Sequence, residues 1–468
     1  MTDNAENKAT DKIEKKKKRE SAISLIVDMV SEEVHPVTFQ RSIWTCTNGL
    51  YREDNGHVEK RIIELLKQSE EFGSIVSATK AAMYELTYYA AEIYDDYPFD
   101  CYPNALPVSN GVLVFDWKNK RVRLEQHDCK YKYTYKLPVI YDENADKNAM
   151  KEILEAWTDT EEDAMILIQL IAHIIVHAAG GVNQTLKRSV IIEGPSNGGK
   201  STFVVDLLNM LFGEENISNV FLDELCNNKY AKYFLVSKIL NRADDLQDIP
   251  LKDVGMFKSL TGSFYHTVER KHHDHYNARI TCPHIFTCNS PPKVPENVIN
   301  DPAFWNRWIY IRFNNVFDID SGFVEREFTP ERLSGLLNAA IELAFEIADH
   351  NDLIYTHDAQ EVQQRWSSSA TPFIKFRDEE MVRTADYHTY DKEWLFTTFR
   401  KWCEEHNVSP KKIPKTLTAF TQLILPHGVF DYRTQGKKVY RSVYKFNPNS
   451  AYRPSDTDRK TDHQINFE

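Results

Sequence analysis

No two of the seven cysteines in this 468-residue chain form a Cys-x-x-Cys pair, and their positions are scattered. A zinc module or a disulfide framework is therefore not expected, and a reducing compartment is the natural setting. Cys282 and Cys288 read as core residues. Positive charge is short as well: the formal net charge is −12. That excludes a surface coated in basic side chains, so any nucleic-acid contact has to come from local basic elements. A membrane-spanning run is also missing. The most apolar stretch, residues 164–180 (AMILIQLIAHIIVHAAG), is interrupted by Gln169, His173 and His177 and falls short of a span. It reads as a buried helix. There is no secretory signal pattern and no internal repeat, so a soluble intracellular protein is expected.

What is present is ample apolar material, 42% hydrophobic and 12% aromatic, in a length that suits about three domains. Residues 1–22 are polar and carry the run Lys15-Lys16-Lys17-Lys18-Arg19. The run reads as a solvated, disordered tail, with a weak DNA tether or a nuclear localisation signal as sharper alternatives. Residues 23–180 mix strand signals (Ser42 to Tyr51, Val108 to Phe115, turns at Asn48-Gly49 and Asn110-Gly111) with helical periodicity around 58–66 and 75–91. They form an α+β or mainly helical module without a catalytic motif. Residues 181–318 alternate apolar strands with helices, the pattern of a parallel α/β sheet. A helical segment follows over 319–378. Residues 379–450 read as three helices and a hairpin turning at Gln435-Gly436, a winged-helix-like order, and 451–468 form a polar tail.

The chemistry concentrates in the α/β region. The nine residues Gly194, Pro195, Ser196, Asn197, Gly198, Gly199, Lys200, Ser201 and Thr202 fit GxxxxGK[ST], a phosphate-binding loop. An apolar run, Ser189 to Glu193, precedes them. Apolar positions 203, 204, 207, 208, 211 and 212 follow on one helical face. Glycines let the backbone wrap phosphates, and N–H groups at the helix N-terminus face the anion. Lys200 reaches the β- and γ-phosphates of ATP, and the Ser201 hydroxyl ligates Mg²⁺. The competing reading is a glycine-rich turn with an exposed lysine.

A strand candidate, Phe234 to Ala243, ends in Asp244-Asp245. At the carboxyl end of a parallel strand, Asp244 is placed to hold Mg²⁺ and Asp245 to polarise the attacking water. An ordinary acidic turn is the plainer reading, and Asp248 is a weaker contender. Val268 to Ile285 reads as two extended runs around a basic tip with Arg270, Lys271, His272, His273 and His275. The histidines suit a solvated tip better than a metal site. Arg270, Lys271 and His272 are placed to contact DNA phosphates. Asn289, ending the strand His284 to Cys288, is suited to hydrogen-bond the γ-phosphate or the water, or to open the turn Asn-Ser-Pro-Pro. Arg307 precedes another apolar strand and is placed to reach a neighbouring subunit's nucleotide. Arg312 lies inside that strand and pairs within the fold.

Taken in order, the Gly194 to Thr202 loop, Asp244-Asp245, the Leu260 to His272 segment, Asn289 and Arg307 resemble the superfamily 3 helicases. More narrowly, they look like the helicase half of phage and plasmid primases and of poxvirus-type primase-helicases. The stretch KSLTGSFYHTVERKHHDHYNARITCPHIFTCNSPP carries most of the likeness. Glu269 to His272 looks like the DNA-hairpin tip of papillomavirus replicative helicases. ALPVSNGVLVFD at 105–116 and TFRKWCEEHNVSP resemble the domains flanking that motor, so the likeness covers roughly residues 40–447. It departs at Ser263-Phe264, where the family usually has Gly-Asp.

The resemblance implies an AAA+-type core and a hexameric ring hydrolysing ATP with Mg²⁺ at subunit interfaces. It further implies 3′-to-5′ translocation on DNA during viral or plasmid replication. A separate primase or polymerase is an expected partner, because roughly 40 residues before the matched region cannot hold a primase domain. A prokaryotic or virus-infected cytoplasm is the expected place, with the nucleus as an alternative. Two other functions stay open: an origin-binding or scaffold protein that binds nucleotide without unwinding, and an AAA+ motor for DNA packaging.

Overall fold

The computed structural model describes residues 3–454 apart from 69–71, 73, 247–248, 271–273, 407, 409, 411 and 435–436. Lys271, His272, His273, Asp248, the Gln435-Gly436 turn and residues 455–468 of the polar tail lie outside the described residues. The chain divides into two compact units. The first comprises Met1–Leu246, Lys252–Asn289 and Asn306–Thr356; the second contains Ser290–Trp305 and the residues from His357 on.

The first unit opens on helix α1 (Asp3–Val34). The expected disordered tail is corrected here, since residues 3–22 continue the helix whose Ile23, Ile26, Val27 and Val30 are buried. These side chains pack against α2 (His57–Lys67) and α3 (Ile75–Glu85). Beside them lies a four-stranded sheet of β1 (Val37–Phe39), β2 (Ser42–Thr47), β3 (Leu50–Glu53) and β4 (Glu92–Tyr94), in the order β3-β2-β1-β4. Asn48-Gly49 is the turn of the β2–β3 hairpin, both residues at positive φ. A meander follows: β5 (Ala105–Val108), β6 (Gly111–Asp116) and β7 (Arg121–Glu125), with Asn110 at its first turn. The expectation of no disulfide fails at one place, where Cys46 of β2 is bonded to Cys129. The two are 83 residues apart in sequence and are brought together by tertiary pairing, with Leu50 of β3 bridging Tyr133, so no local spacing announces the bond.

Helices α4 (Lys151–Trp157) and α5 (Glu161–Ala178) lead to the parallel sheet. α5 is the predicted buried helix, and its polar interruptions are satisfied. Gln169 Oε1 accepts the amides of Ile354 and Tyr355, both at 2.8 Å, and its Nε2 donates to Tyr355 O at 2.7 Å. His177 Nδ1 donates to Thr281 O at 3.1 Å, while its Nε2 accepts the Leu186 amide at 3.2 Å. Among the described residues no helix is long and apolar enough to cross a membrane.

The sheet holds β8 (Ser189–Glu193), β9 (Ile217–Ser218), β10 (Leu240–Ala243), β13 (His284–Cys288) and β14 (Trp308–Arg312). All pairings are parallel, in the order β14-β8-β13-β10-β9. The strand expected over 234–243 is shorter, because residues 231–235 form a 3₁₀ turn. After β8 come a π-turn over Thr202–Leu207 and α6 (Leu208–Phe212); all six apolar positions predicted for this helix are buried. Helices α7 (Leu222–Asn227) and α8 (Gly255–Leu260) and the hairpin β11 (Tyr265–Val268)–β12 (Tyr276–Arg279) complete the middle of the unit. α11 (Phe323–Glu327) and α12 (Pro330–His350) close it, α12 packing along α5.

In the second unit, α9 (Glu296–Ile299) and α10 (Pro302–Trp305) precede α13 (Ala359–Ala370) and α14 (Pro372–Glu380). The predicted helical segment 319–378 is therefore shared between the two units. Then come β15 (Met381–Asp391), α15 (Lys392–Glu405), α16 (Leu417–Ile424), β16 (Val429–Thr434) and β17 (Lys437–Phe446), the strands ordered β15-β17-β16. The first of the three helices expected within residues 379–450 is instead the strand β15. Its ladder with β17 skips from Arg383 to His388, and this bulge breaks the alternation that would have revealed it.

Burial lowers the His177 imidazole pKa to about 3 and that of His284, at the start of β13, to about 4. Both are neutral in the fold and bind protons on unfolding below their ordinary value of about 6.5. Their contribution to stability is complete above about pH 6.5 and is lost as pH falls towards 4. The urea midpoint is therefore expected to decline between about pH 7 and pH 5, and less steeply in His284→Leu. Identical slopes for the two proteins would remove His284 from the titration.

Candidate functional site

In a parallel sheet every carboxyl end lies along one edge, and loops leaving that edge share a crevice. Here β13 lies between β8 and β10, so the loop after β8, the acidic pair after β10 and Asn289 after β13 come together. Lys200 is 8% exposed. Its Nζ donates to Gly194 O and Pro195 O, both at 2.7 Å, and to Asn289 Oδ1 at 3.1 Å. Burial holds its pKa below the usual lysine range, against the pull of nearby Asp244, Asp245 and Glu193. Ser201 Oγ donates to Asp244 Oδ2 at 2.7 Å. Asn289 Nδ2 faces Asp245 Oδ1 at 3.4 Å.

The loop's small residues are required by its packing. A Cβ on Gly194 would stand 2.3 Å from Phe313 O, and one on Gly199, at φ +86°, would stand 2.6 Å from the Trp157 ring. Asn197 is also at positive φ. Pro195, Ser196 and Asn197 are exposed at the crest, Gly198 is buried beneath it, and Thr202 begins the π-turn. The first amides of the helix lack intrahelical acceptors and point out of its N-terminus.

Sequence reasoning missed Thr287, which is fully buried on β13. Its Oγ1 donates to Asp244 Oδ1 and accepts the Asp245 amide at 2.8 Å. It therefore holds the Asp244 carboxylate and the Asp245 backbone, the latter at φ +55°. The available signal was strand alternation: position 287 shares a face with 289. Trp157 was missed too; no local pattern joins it to a loop some forty residues later.

Two predicted groups lie elsewhere. Arg307 stands at the amino end of β14, the opposite edge of the sheet, because Trp308 pairs with Ser189 at the start of β8. Its Nε donates to Thr261 Oγ1 at 2.9 Å and its Nη2 to Lys258 O at 3.3 Å. Within one chain it is not part of the crevice. Arg312 pairs with Glu193 at 3.3 Å, as expected. At the base of the β11–β12 hairpin, Arg270 lies over the Tyr233 ring at 5.1 Å and Glu269 pairs with Lys229 at 2.7 Å. Cys282 and Cys288 are buried and not disulfide-bonded.

A family described as D5 N terminal like matches residues 57–159, and a family of unknown function, DUF5906, matches residues 192–307. The second span covers most of the crevice. No curated protein matches. Two solved apo structures of the NrS-1 C-terminal region are similar. One has 14% identity and a TM-score of 0.46, covering 88% of this chain and 97% of that one. The other has 12% identity and a TM-score of 0.45, covering 90% and 98%.

Thr287→Val keeps the volume but removes the hydroxyl that holds Asp244 and Asp245. Groups of this supporting kind typically cost 10- to 100-fold on mutation. Under the function proposed below, the Mg²⁺ concentration needed for half-maximal ATP turnover is expected to rise by about that factor. A wild-type Mg²⁺ curve would leave Thr287 a packing residue.

Proposed function

We propose that the chain is an ATP-hydrolysing motor of DNA replication, a superfamily 3 helicase with an AAA+-type core. One observation carries the reading: Lys200, Ser201, Asp244, Asp245 and Asn289, predicted from separate motifs, meet at one sheet edge through direct hydrogen bonds. A glycine-rich turn with a stray lysine would not gather them. The match to a D5 N terminal like family ahead of the motor supports the same reading. In the second unit, three helices (α14, α15, α16) before the β16–β17 hairpin support the winged-helix-like assignment, with β15 adding a third strand.

The donor set fits a nucleotide with Mg²⁺: a glycine-built loop for phosphates and a hydroxyl–carboxylate pair, hard oxygen ligands suited to that ion. Bound there, Mg²⁺ neutralises charge on the phosphate oxygens. In this reading Lys200 exchanges its two carbonyl acceptors for phosphate oxygen, and Asn289 couples its position to Asp245. Ser201 and Asp244 hold the ion. Asp245, exposed and fixed through its own amide, orients the attacking water and accepts its proton. Arg307 faces away from its own crevice and acts on a neighbour's nucleotide in a hexameric ring. Arg270, Lys271 and His272 are the DNA-binding residues of this reading, with DNA unwound with 3′-to-5′ polarity.

Lys200→Ala is expected to abolish ATP turnover without unfolding the protein, and Asp245→Asn to bind ATP while hydrolysing it poorly. Arg307→Ala is expected to cost about 10³-fold. Mixing it with Lys200→Ala subunits should restore some turnover, because one mixed interface keeps both groups. Strand displacement on a 3′-tailed duplex, with and without ATP, is the deciding assay. ATP turnover without displacement would favour a different AAA+ task such as packaging. Unchanged turnover in Lys200→Ala would end the proposal.

A further inference from the structure

The chain is acidic overall, yet the β16–β17 segment, residues 429–446, carries five basic residues (Arg433, Lys437, Lys438, Arg441 and Lys445) against the single acid Asp431. Asp431 is itself paired with Lys392 at 2.6 Å. Along β17 the even positions Tyr440, Ser442 and Phe446 are buried, with Tyr440 and Phe446 in the core of the second unit, and of the odd positions only Val439, beneath its cross-strand partner Tyr432, is buried. The odd positions therefore lie on the other face, placing Lys437, Arg441 and Lys445 in one row. At about 3.4 Å per residue the row spans about 27 Å.

Aromatic rings stand on the same face. Phe430 pairs across the ladder with Arg441, and Tyr432 with Val439. The Arg441 guanidinium lies 4.2 Å from the Tyr387 ring centroid and 5.1 Å from that of Tyr432, and Tyr387 meets Phe430 edge to face at 6.1 Å. Tyr387, Phe430 and Tyr432 are 49%, 47% and 42% exposed. Tyr387 reaches this position because of the bulge in β15. There Thr384 Oγ1 donates to Asp386 O at 2.8 Å and lies 3.1 Å from His388 Nε2, fixing the extra residues so that the tyrosine projects over the sheet. Bulges commonly re-aim a side chain in this way.

Exposed aromatics packed on an arginine, in a row of cations, fit one ligand chemistry: unpaired bases for the rings and phosphates for the lysines. A duplex hides the faces of its bases, and an apolar protein partner would leave the cation row unmatched. We propose that this outward sheet face of the second unit is a stacking platform for single-stranded nucleic acid, with Tyr387, Phe430, Tyr432 and Arg441 holding bases and Lys437 and Lys445 the backbone. The site belongs to a different unit from the nucleotide crevice and does not depend on the helicase reading.

The test uses the full chain without nucleotide and reads the anisotropy of labelled oligothymidine of about 16 nucleotides. An abasic strand of equal length and a blunt duplex serve as comparisons. Wild type is expected to prefer oligothymidine to the abasic strand. The double variant Tyr387→Ala/Tyr432→Ala is expected to lose that preference and bind oligothymidine about 10-fold or more weakly. Tyr387→Phe/Tyr432→Phe, which keeps the rings, is expected to behave as wild type. Lys445→Gln should weaken both strands and reduce the salt slope by about 1. Basal ATP turnover should be unchanged in all of these, and oligothymidine preference should persist in Lys200→Ala, which separates this site from the motor. Unchanged preference in the alanine variant overturns the proposal. So does a wild type that favours the duplex, or an alanine variant altered in self-association alone.

Discussion

A continuous circuit of hydrogen bonds governs the crevice. Lys200 binds Asn289, Asn289 faces Asp245, the Asp245 amide binds Thr287, Thr287 binds Asp244, and Asp244 binds Ser201, the residue after Lys200. The circuit closes because β13 lies between β8 and β10, so that one strand supplies both Thr287 and Asn289. A buried ammonium beside two carboxylates is tolerable where each charged group has partners, and costly where one is removed. The sheet order and the site chemistry are thus two aspects of one arrangement, and disturbing the strand order would scatter the site.

The parts of this arrangement that were legible in the sequence are the local ones. The loop Gly194 to Thr202 announces itself because its residues act within nine positions. The six apolar positions that follow it are buried as their spacing requires. What was not legible depends on contacts between distant segments. Thr287 gains meaning only beside Asp244, and Trp157 only under Gly199. Cys46 meets Cys129 through strand pairing across 83 residues. The strand β15 does not read as a strand because its bulge removes the period of two. The first 22 residues look unstructured by charge alone; helix α1 gains its packing further on, at Ile23 to Val30.

The charge distribution follows the same division between local and global. A net charge of −12 gives little attraction for a polyanion at long range, so contact has to be made at short range by patterned surfaces. The β17 row illustrates this, since three cations on one face need no help from the rest of the molecule. Such binding is sensitive to salt and insensitive to base sequence.

One contact in the crevice also has an optical side. The indole of Trp157 occupies the space that a side chain at 199 would fill, stacks on Phe313 and is 3% exposed. The ring is therefore shielded from solvent and in van der Waals contact with the Gly194 to Thr202 loop. Any rearrangement of that backbone changes the ring's surroundings directly. One of the chain's eight tryptophans is thus placed to sense the loop.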